Sequence, residues 1–407
     1  MFRKNNNRSS NFGKSSFGGQ KRSNYRGGGG QKSKGRFGGE STIHHSRFIC
    51  KADPIIESAP YIPVHKFADF KINPTLKENI TKKGYVNPTP IQDIAMPFVL
   101  AGRDVVGIAN TGTGKTAAFL IPLLDKICNH PHEKVLIIVP TRELAIQINQ
   151  EFMGFRGILK VFSACCVGGA SIFSQLNDLR RPHNIVIGTP GRLKDLVNRG
   201  NIRLSEFRTI VLDEADRMLD MGFINDMRFL MTKMAPNRQT LFFSATITSE
   251  IDKFIKEFLK NPEKVSVKTG ETARNVEQDI VRVAPGEDKV ESLKCLLAKR
   301  EFSKVLIFGR TKHGVERLCK VLIKDGFKAE SIHGDKRQTQ RQNALKAFKE
   351  NRSQILVATD VAARGLDIPN VTHVINYDVP ATYEDYVHRI GRTGRANQTG
   401  VALTFVN

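Results

Sequence analysis

No apolar run in this sequence approaches the roughly 20 residues a membrane-spanning helix needs. The N-terminus, MFRKNNNRSSNFGK, is basic but lacks the apolar core of a secretory signal. A cytoplasmic location is therefore expected. The six cysteines (Cys50, Cys128, Cys165, Cys166, Cys295, Cys319) form no C-x-x-C pair and the histidines do not cluster, which speaks against a structural zinc site and for reduced thiols. Acid is scarce as well: 40 Asp and Glu stand against 63 Lys and Arg, a formal net charge of +23 at pH 7. The expected partner is a polyanion, and nucleic acid fits better than a membrane because no basic amphipathic helix or lipidation motif accompanies the charge.

The scarcity of acid is absolute in Met1 to Gly39, which has ten Lys or Arg, no Asp or Glu, and single Phe or Tyr residues scattered among Gly, Ser and Asn. Such a segment buries too little apolar surface to offset its ordering entropy, so residues 1–45 are expected to be a disordered Arg/Gly-rich tail. It serves either as a solubilising linker or as an RNA tether, with arginines on phosphates and aromatic rings on bases.

At 407 residues the chain is long enough for two domains besides the tail. VVGIA (Val105 to Ala109), VLIIV, IVIGT, TIVLD and TLFFSAT are strand-length apolar runs separated by helix-like segments, and VLIFG, QILVATD, HVINYD and ALTFV repeat the pattern later. Continuous apolar runs suit strands covered on both faces, with helices as crossovers. The expected fold is α/β: two tandem mostly parallel sheets flanked by helices, spanning 66–267 and 280–407, joined by a polar linker at 268–279. Ligands bind beyond the carboxyl ends of such strands.

ANTGTGKT, Ala109 to Thr116, follows the first run and precedes a helix-like segment, the setting of a phosphate-binding loop. Thr111, Gly112, Thr113 and Gly114 would wrap phosphate with backbone N–H groups, Lys115 would reach the β/γ oxygens, and Thr116 could ligate Mg²⁺. Ala109 stands where the strict pattern has Gly. Asp213 ends the run TIVLD, where a carboxylate can hold Mg²⁺, largely through water, and Glu214 beside it can act as base for an attacking water. Alone, these acids would read as an ordinary helix cap. HRIGRTGR, His388 to Arg395, is either a set of arginine fingers for a γ-phosphate or a phosphate-contacting basic patch.

Together these motifs resemble the DEAD-box ATP-dependent RNA helicases of superfamily 2, and DEADRMLDMGF with RTKHGVERLCKVLIKDGF resembles the bacterial RhlE-type branch most. The resemblance runs from about Phe67 to the C-terminus and implies two RecA-like domains. By the family's pattern Gln92 reads adenine and Phe67 stacks on it. PTRELA with Pro140, Thr141 and Arg142, the pair Gly168 and Gly169, and TPGR with Thr189 and Arg192 contact RNA in the first domain. In the second, Arg310, Gln338, Arg341 and Thr359 do so. The resemblance further assigns Asp367 to the ribose, Arg392 and Arg395 to the γ-phosphate, and Asp216, Ser244, Thr246 and His388 to coupling between the sites.

The implied activity is RNA-stimulated hydrolysis of ATP to ADP and phosphate, coupled to closure of the two domains. Closure locally unwinds or remodels structured RNA or RNA–protein complexes, with ribosome assembly or RNA turnover as the implied processes. ATP and Mg²⁺ are the expected cofactors, RNA held by its backbone the expected partner, with no membrane and a monomeric core. A DNA-directed motor and an ATP-gated RNA clamp that unwinds nothing stay open. Three features depart from the family's pattern. Asn110 stands where Gln, Lys or Glu is usual, the basic tail is N-terminal, and the chain stops at Asn407 before a helix expected to complete the second domain.

Overall fold

The computed structural model describes residues 43–52, 61–110, 112–267, 275–363, 368–394 and 399–406. The expected tail up to residue 42, most of the expected linker, and Thr111, Asp367 and Arg395 lie outside the described residues.

Thirteen strands form two sheets among the described residues. The first contains β1 (Val105–Ala109), β2 (Val135–Ile138), β3 (Ser163–Cys166), β4 (Ile185–Gly188), β5 (Thr209–Leu212), β6 (Gln239–Ser244) and β7 (Glu263–Val267), in the order β3-β4-β2-β5-β6-β1-β7. The second contains β8 (Val276–Arg282), β9 (Val305–Phe308), β10 (Ala329–Ile332), β11 (Ile355–Ala358), β12 (His373–Asn376) and β13 (Gly400–Val406), in the order β10-β11-β9-β12-β13-β8. Every pairing within both sheets is parallel, for example Val105 opposite Leu241 and Val305 opposite Ile355. The expected fold class is therefore met.

Period-two geometry sends alternate residues of each central strand to opposite faces. Val105 and Ala109 enter one apolar cluster, with Phe119, Ile137 and Phe243, while Val106 and Ile108 join another with Leu136, Leu212 and Phe242. The second sheet divides in the same way: Leu306 and Phe308 face one cluster, Val305 and Ile307 the other. Both faces of each sheet are dry, so both are lined with helices and the polar loops are left at the strand ends. No helix among the described residues is long and apolar enough to cross a membrane.

Two findings differ from the boundaries read in the sequence. β8 starts at Val276, inside the stretch expected to be linker, because VEQDIVR alternates buried and open positions along an edge strand. The expected tail boundary at residue 45 falls in the short 3-10 helix His45–Phe48, whose Phe48 is fully buried in the core of the second sheet. Cys50 then pairs with Gln278 of β8 as an antiparallel bridge.

Candidate nucleotide and RNA site

β1, β6 and β5 lie side by side, so the loops leaving their carboxyl ends converge. Lys115 opens the Lys115–Asn129 helix directly after the glycine loop, and its Nζ donates to the Ala109 carbonyl at 2.7 Å. Gly114 has φ +91°, a left-handed conformation that glycine adopts without strain. A Cβ there would collide with the Gln92 side-chain amide. Gln92 accepts from the Thr89 N–H at 2.9 Å and donates through Nε2 to the Gly114 carbonyl at 3.0 Å. Thr89 Oγ1 donates to the Thr113 carbonyl at 2.8 Å, so this threonine and glutamine clamp the loop from the Pro90–Leu100 helix. Phe67 is buried, edge-on to Tyr85 at 5.8 Å; its ring sits in the core of the first domain rather than on an open face.

The three acids that follow β5 are treated differently. Asp213 is buried and accepts from the Glu214 N–H at 2.9 Å; burial pushes its carboxyl up to about 6, with Lys115 opposing and Glu214 adding to the shift. Asp216 is saturated. Its Oδ2 accepts from the N–H groups of Ala245 and Thr246, both at 3.0 Å, and from Thr246 Oγ1 at 3.2 Å, while Oδ1 accepts from Arg217 N–H at 3.0 Å. Ser244 Oγ donates to the Thr246 carbonyl at 2.7 Å, closing the SAT turn on itself. Between them Glu214 sits at φ 52°, ψ 48°, a left-handed conformation that costs a non-glycine residue roughly 1–2 kcal/mol. Its carboxylate is held by Arg217 Nη1 at 2.8 Å in a buried ion pair.

A second cleft, of ≈ 480 Å³, is lined by Pro140, Thr141, Arg142, Thr189 and Arg192 from the first domain and by Gly334, Arg341 and Val361 from the second. Thr141 caps the Arg142–Arg156 helix through the Leu144 N–H. Gly169, at φ +71°, leaves room for the Arg142 guanidinium, which a Cβ would strike. Arg192 Nη1 donates to Gln175 Oε1 at 2.8 Å. Across the cleft Glu143 binds Arg341 Nη2 at 2.9 Å and Gln338 Nε2 at 3.2 Å, a buried junction between the two domains. Arg341 Nε and Gln338 Oε1 remain buried without a hydrogen-bond partner. Arg310 lies apart from these, its backbone N–H on Asp378 at 2.7 Å, and the Thr359 carbonyl accepts from Ala362 and Ala363 at the start of a short helix.

Of the three arginines in HRIGRTGR, Arg389 is committed elsewhere. It forms a bidentate pair with Asp360 at 2.6 and 2.8 Å and donates to Asn376 Oδ1 and the Asp378 carbonyl. This corrects the expectation that all three could serve as fingers. His388 lies on the Tyr383–Ile390 helix and Arg392 follows it, buried. Sequence reasoning missed Arg217, Glu143 and Arg389 as site-building residues. The signal was present, because each lies inside a motif already quoted, at a position whose partner only the fold supplies.

The model of the DEAD/DEAH box helicase family matches residues 89–254, and that of the helicase conserved C-terminal domain matches residues 288–397. The DEAD-box ATP-dependent RNA helicase CshA of Bacillus subtilis (strain 168) is 46% identical over 342 residues, 84% of this chain and 69% of the relative. The chain belongs to the DEAD-box ATP-dependent RNA helicases. The ATP-dependent RNA helicase CshA of Limosilactobacillus reuteri is 45% identical over 343 residues, with the same coverage of 84% and 69%. Among solved structures, S. cerevisiae Dbp5 bound to RNA and ADP BeF3 is similar at 29% identity and a TM-score of 0.73, covering 84% of this chain and 89% of that one. Mss116p bound to ssRNA and AMP-PNP is similar at 31% identity and a TM-score of 0.73, covering 84% and 75%. This DEAD-box helicase accordingly has the family's two RecA-like domains and its ATP-dependent action on RNA, which meets the expectation of a hydrolase that remodels RNA.

Proposed function

We propose that nucleotide binds between Gln92, the loop Thr111 to Thr116 and the acids after β5, and that RNA lies along the cleft lined by Arg142, Thr189, Arg192 and Arg341. The buried Asp213 carboxylate beside Lys115 carries this reading. A desolvated acid with one N–H donor gains from a cation beside it, and Thr116 is the nearest hydroxyl in sequence to the loop lysine. Among the described residues no three His, Cys, Asp or Glu side chains form a metal cage. That suits Mg²⁺, which takes one or two protein oxygens and fills its shell with phosphates and water. When bound, the ion would offset the negative charge of the β/γ-phosphates.

The protein's own groups do the rest. Lys115 leaves the Ala109 carbonyl for the phosphates, and Glu214 takes the proton of the attacking water. Arg392 and Arg395 stabilise the charge that develops at the γ-phosphate, Asp367 holds the ribose, and Phe67 supports the adenine end. Asp216 transmits the state of this site to Ser244 and Thr246, with His388 answering from the second domain. Pro140, Gly168, Gly169, Arg310, Gln338 and Thr359 complete the RNA path. The orphaned atoms of Gln338 and Arg341 support a polar ligand there. ATP and RNA both favour the closed pair of domains, so each strengthens binding of the other.

The domain limits proposed are 66–267 and 280–407, the second extended by β8, with the linker between them, a cytoplasmic location and a monomeric core. Residues 1–42 serve as an RNA tether, and ribosome assembly or RNA turnover is the setting. The finer placement in the RhlE-type branch rests on DEADRMLDMGF and RTKHGVERLCKVLIKDGF; the CshA name of the relatives above favours that type instead. Glu214→Gln protein tests the reading. It should bind ATP and RNA together but hydrolyse almost nothing; full single-cycle turnover would remove Glu214 as the base.

A further inference from the structure

The stretch that follows the basic tail has a fixed address on the second domain. Phe48 is fully buried, its ring 4.7 Å from that of Tyr386, and Arg47 lies 4.0 Å above the Tyr383 ring. Cys50 N–H donates to the Gln278 carbonyl at 2.9 Å, and Gln278 N–H donates back to the Cys50 carbonyl at 2.7 Å. Tyr386 Oη donates to Gln278 Oε1 at 2.9 Å, tying the helix beneath Phe48 to the edge strand beside Cys50. Nothing in the established activity uses this contact. It adds a backbone partner to the open edge of β8 and a large aromatic plug to the core of the second sheet.

The surface it covers is not arbitrary. Tyr383 and Tyr386 belong to the Tyr383–Ile390 helix, which carries His388 and runs into Arg392. Eleven residues after Cys50, Tyr61 Oη donates to Asp93 at 2.6 Å, and the N–H groups of Val64 and His65 bind the same carboxylate. Asp93 neighbours Gln92 on the helix that clamps the phosphate loop. One short stretch of chain is thus fastened to the helix behind the finger arginines and to the helix behind the nucleotide.

We propose that Ile43 to Cys50 is an anchor that fixes the basic tail to the second domain, so that single-stranded RNA gripped by the tail is held at the domain that must close onto the first. This rests on the reading of the tail as an RNA tether. Covalent linkage turns the second capture of RNA into an intramolecular event and raises the effective RNA concentration at that domain. Free of the anchor, the tail would be attached only through the first domain.

Four proteins test this: wild type, Phe48→Asp and Arg47→Ala in the full chain, and a form lacking residues 1–39. The half-saturating concentration of a single-stranded RNA for ATPase stimulation should rise about tenfold in the truncated form. Phe48→Asp, whose tail is still joined through the first domain, should move part of the way to that value and Arg47→Ala less far, with KM for ATP unchanged in all. A fifth protein, Gln278→Cys, checks the anchor without RNA. Residues in a hydrogen-bonded antiparallel pair have Cα atoms about 5.5 Å apart, within disulfide reach, so with diamide added to take up the two electrons and two protons, the introduced thiol should form a disulfide with Cys50. The proposal is overturned if the link does not form, or if Phe48→Asp loses amide-exchange protection at β8 yet keeps the wild-type RNA response. A link that forms while the truncated form responds normally to RNA overturns the tether reading and leaves the anchor standing.

Discussion

Asp213 after β5 and Arg389 beside the end of β12 are both buried charges at the carboxyl end of a sheet, and their surroundings could hardly differ more. Arg389 spends its guanidinium on the two oxygens of Asp360, on Asn376 and on the Asp378 carbonyl. Asp213 has one N–H from Glu214 and the charge of Lys115, and burial still pushes its carboxyl up to about 6. A completed network is scaffold, because a buried charge with all its partners present has nothing further to gain from a ligand. A desolvated acid with few partners gains most when cation and polyphosphate arrive. The second sheet thus offers a preset frame for Arg392, and the first a site that is incomplete by itself.

The largest effect that would sharpen this contrast is chemical. Glu214→Gln should lower RNA-stimulated turnover by about 10³-fold, within the usual range for loss of a general base, while nucleotide affinity changes little. Single-turnover hydrolysis with labelled ATP measures it. Next comes the frame itself. Arg389→Ala leaves Asp360 with an uncompensated charge and should destabilise the second domain by about 3–5 kcal/mol, seen as an early unfolding transition in denaturant. Asp360→Asn in the same chain should restore part of the loss, since the stranded charge is then gone. If Arg389→Ala unfolded at the wild-type midpoint, the frame would not be scaffold and the comparison would fail.

The same contrast explains what the sequence made legible. The strands it revealed, such as VVGIA, TIVLD and VLIFG, are interior strands, covered on both faces and written as apolar runs. The four it did not reveal, β3, β7, β8 and β10, are the four sheet edges. An edge is covered less completely, so its sequence is free to alternate or dilute its apolar residues: EKVSV of β7 buries one residue fully, and VEQD, the first part of β8, reads as linker. At the site, the loop, the strand-end acids and the basic run were readable because their chemistry is local. Glu143 with Arg341, Arg217 with Glu214 and Arg389 with Asp360 were not. Two of these pairs join residues far apart in the chain, and the third depends on Glu214 adopting a left-handed turn that no residue pattern announces. Phe48 was hidden for another reason: a single aromatic beside a polar tail has no periodicity to betray its burial.

A third prediction separates function from stability at Asp213. Asp213→Asn removes a buried charge, so the nucleotide-free and Mg²⁺-free protein should gain up to about 3 kcal/mol at pH 7.5. The sign follows from the raised carboxyl: the native state holds its proton more tightly than the unfolded chain, so the penalty is absent below the ordinary carboxyl range and complete above about 6. The gain should vanish near pH 3, below the ordinary carboxyl value of 3.8, while turnover is lost at every pH. A variant that is no more stable than wild type at pH 7.5 would mean that Asp213 is already compensated, and the contrast with Arg389 would dissolve.

The smallest effect probes the second sheet. His373 opens β12, buried and stacked on Phe302 at 3.9 Å between centroids, and burial lowers its imidazole below the ordinary value of 6.5. The native state therefore resists protonation that the unfolded chain accepts. This stabilising contribution is present above 6.5 and is lost as pH falls through the lower native value. His373→Phe keeps the stacked ring and removes the titration. Wild type should lose a few degrees more in Tm than the variant between pH 7 and pH 5, read by calorimetry on nucleotide-free protein. Parallel slopes would show that the ring is protonated as easily in the sheet as in water, and that acid weakens the frame of the second domain through other groups.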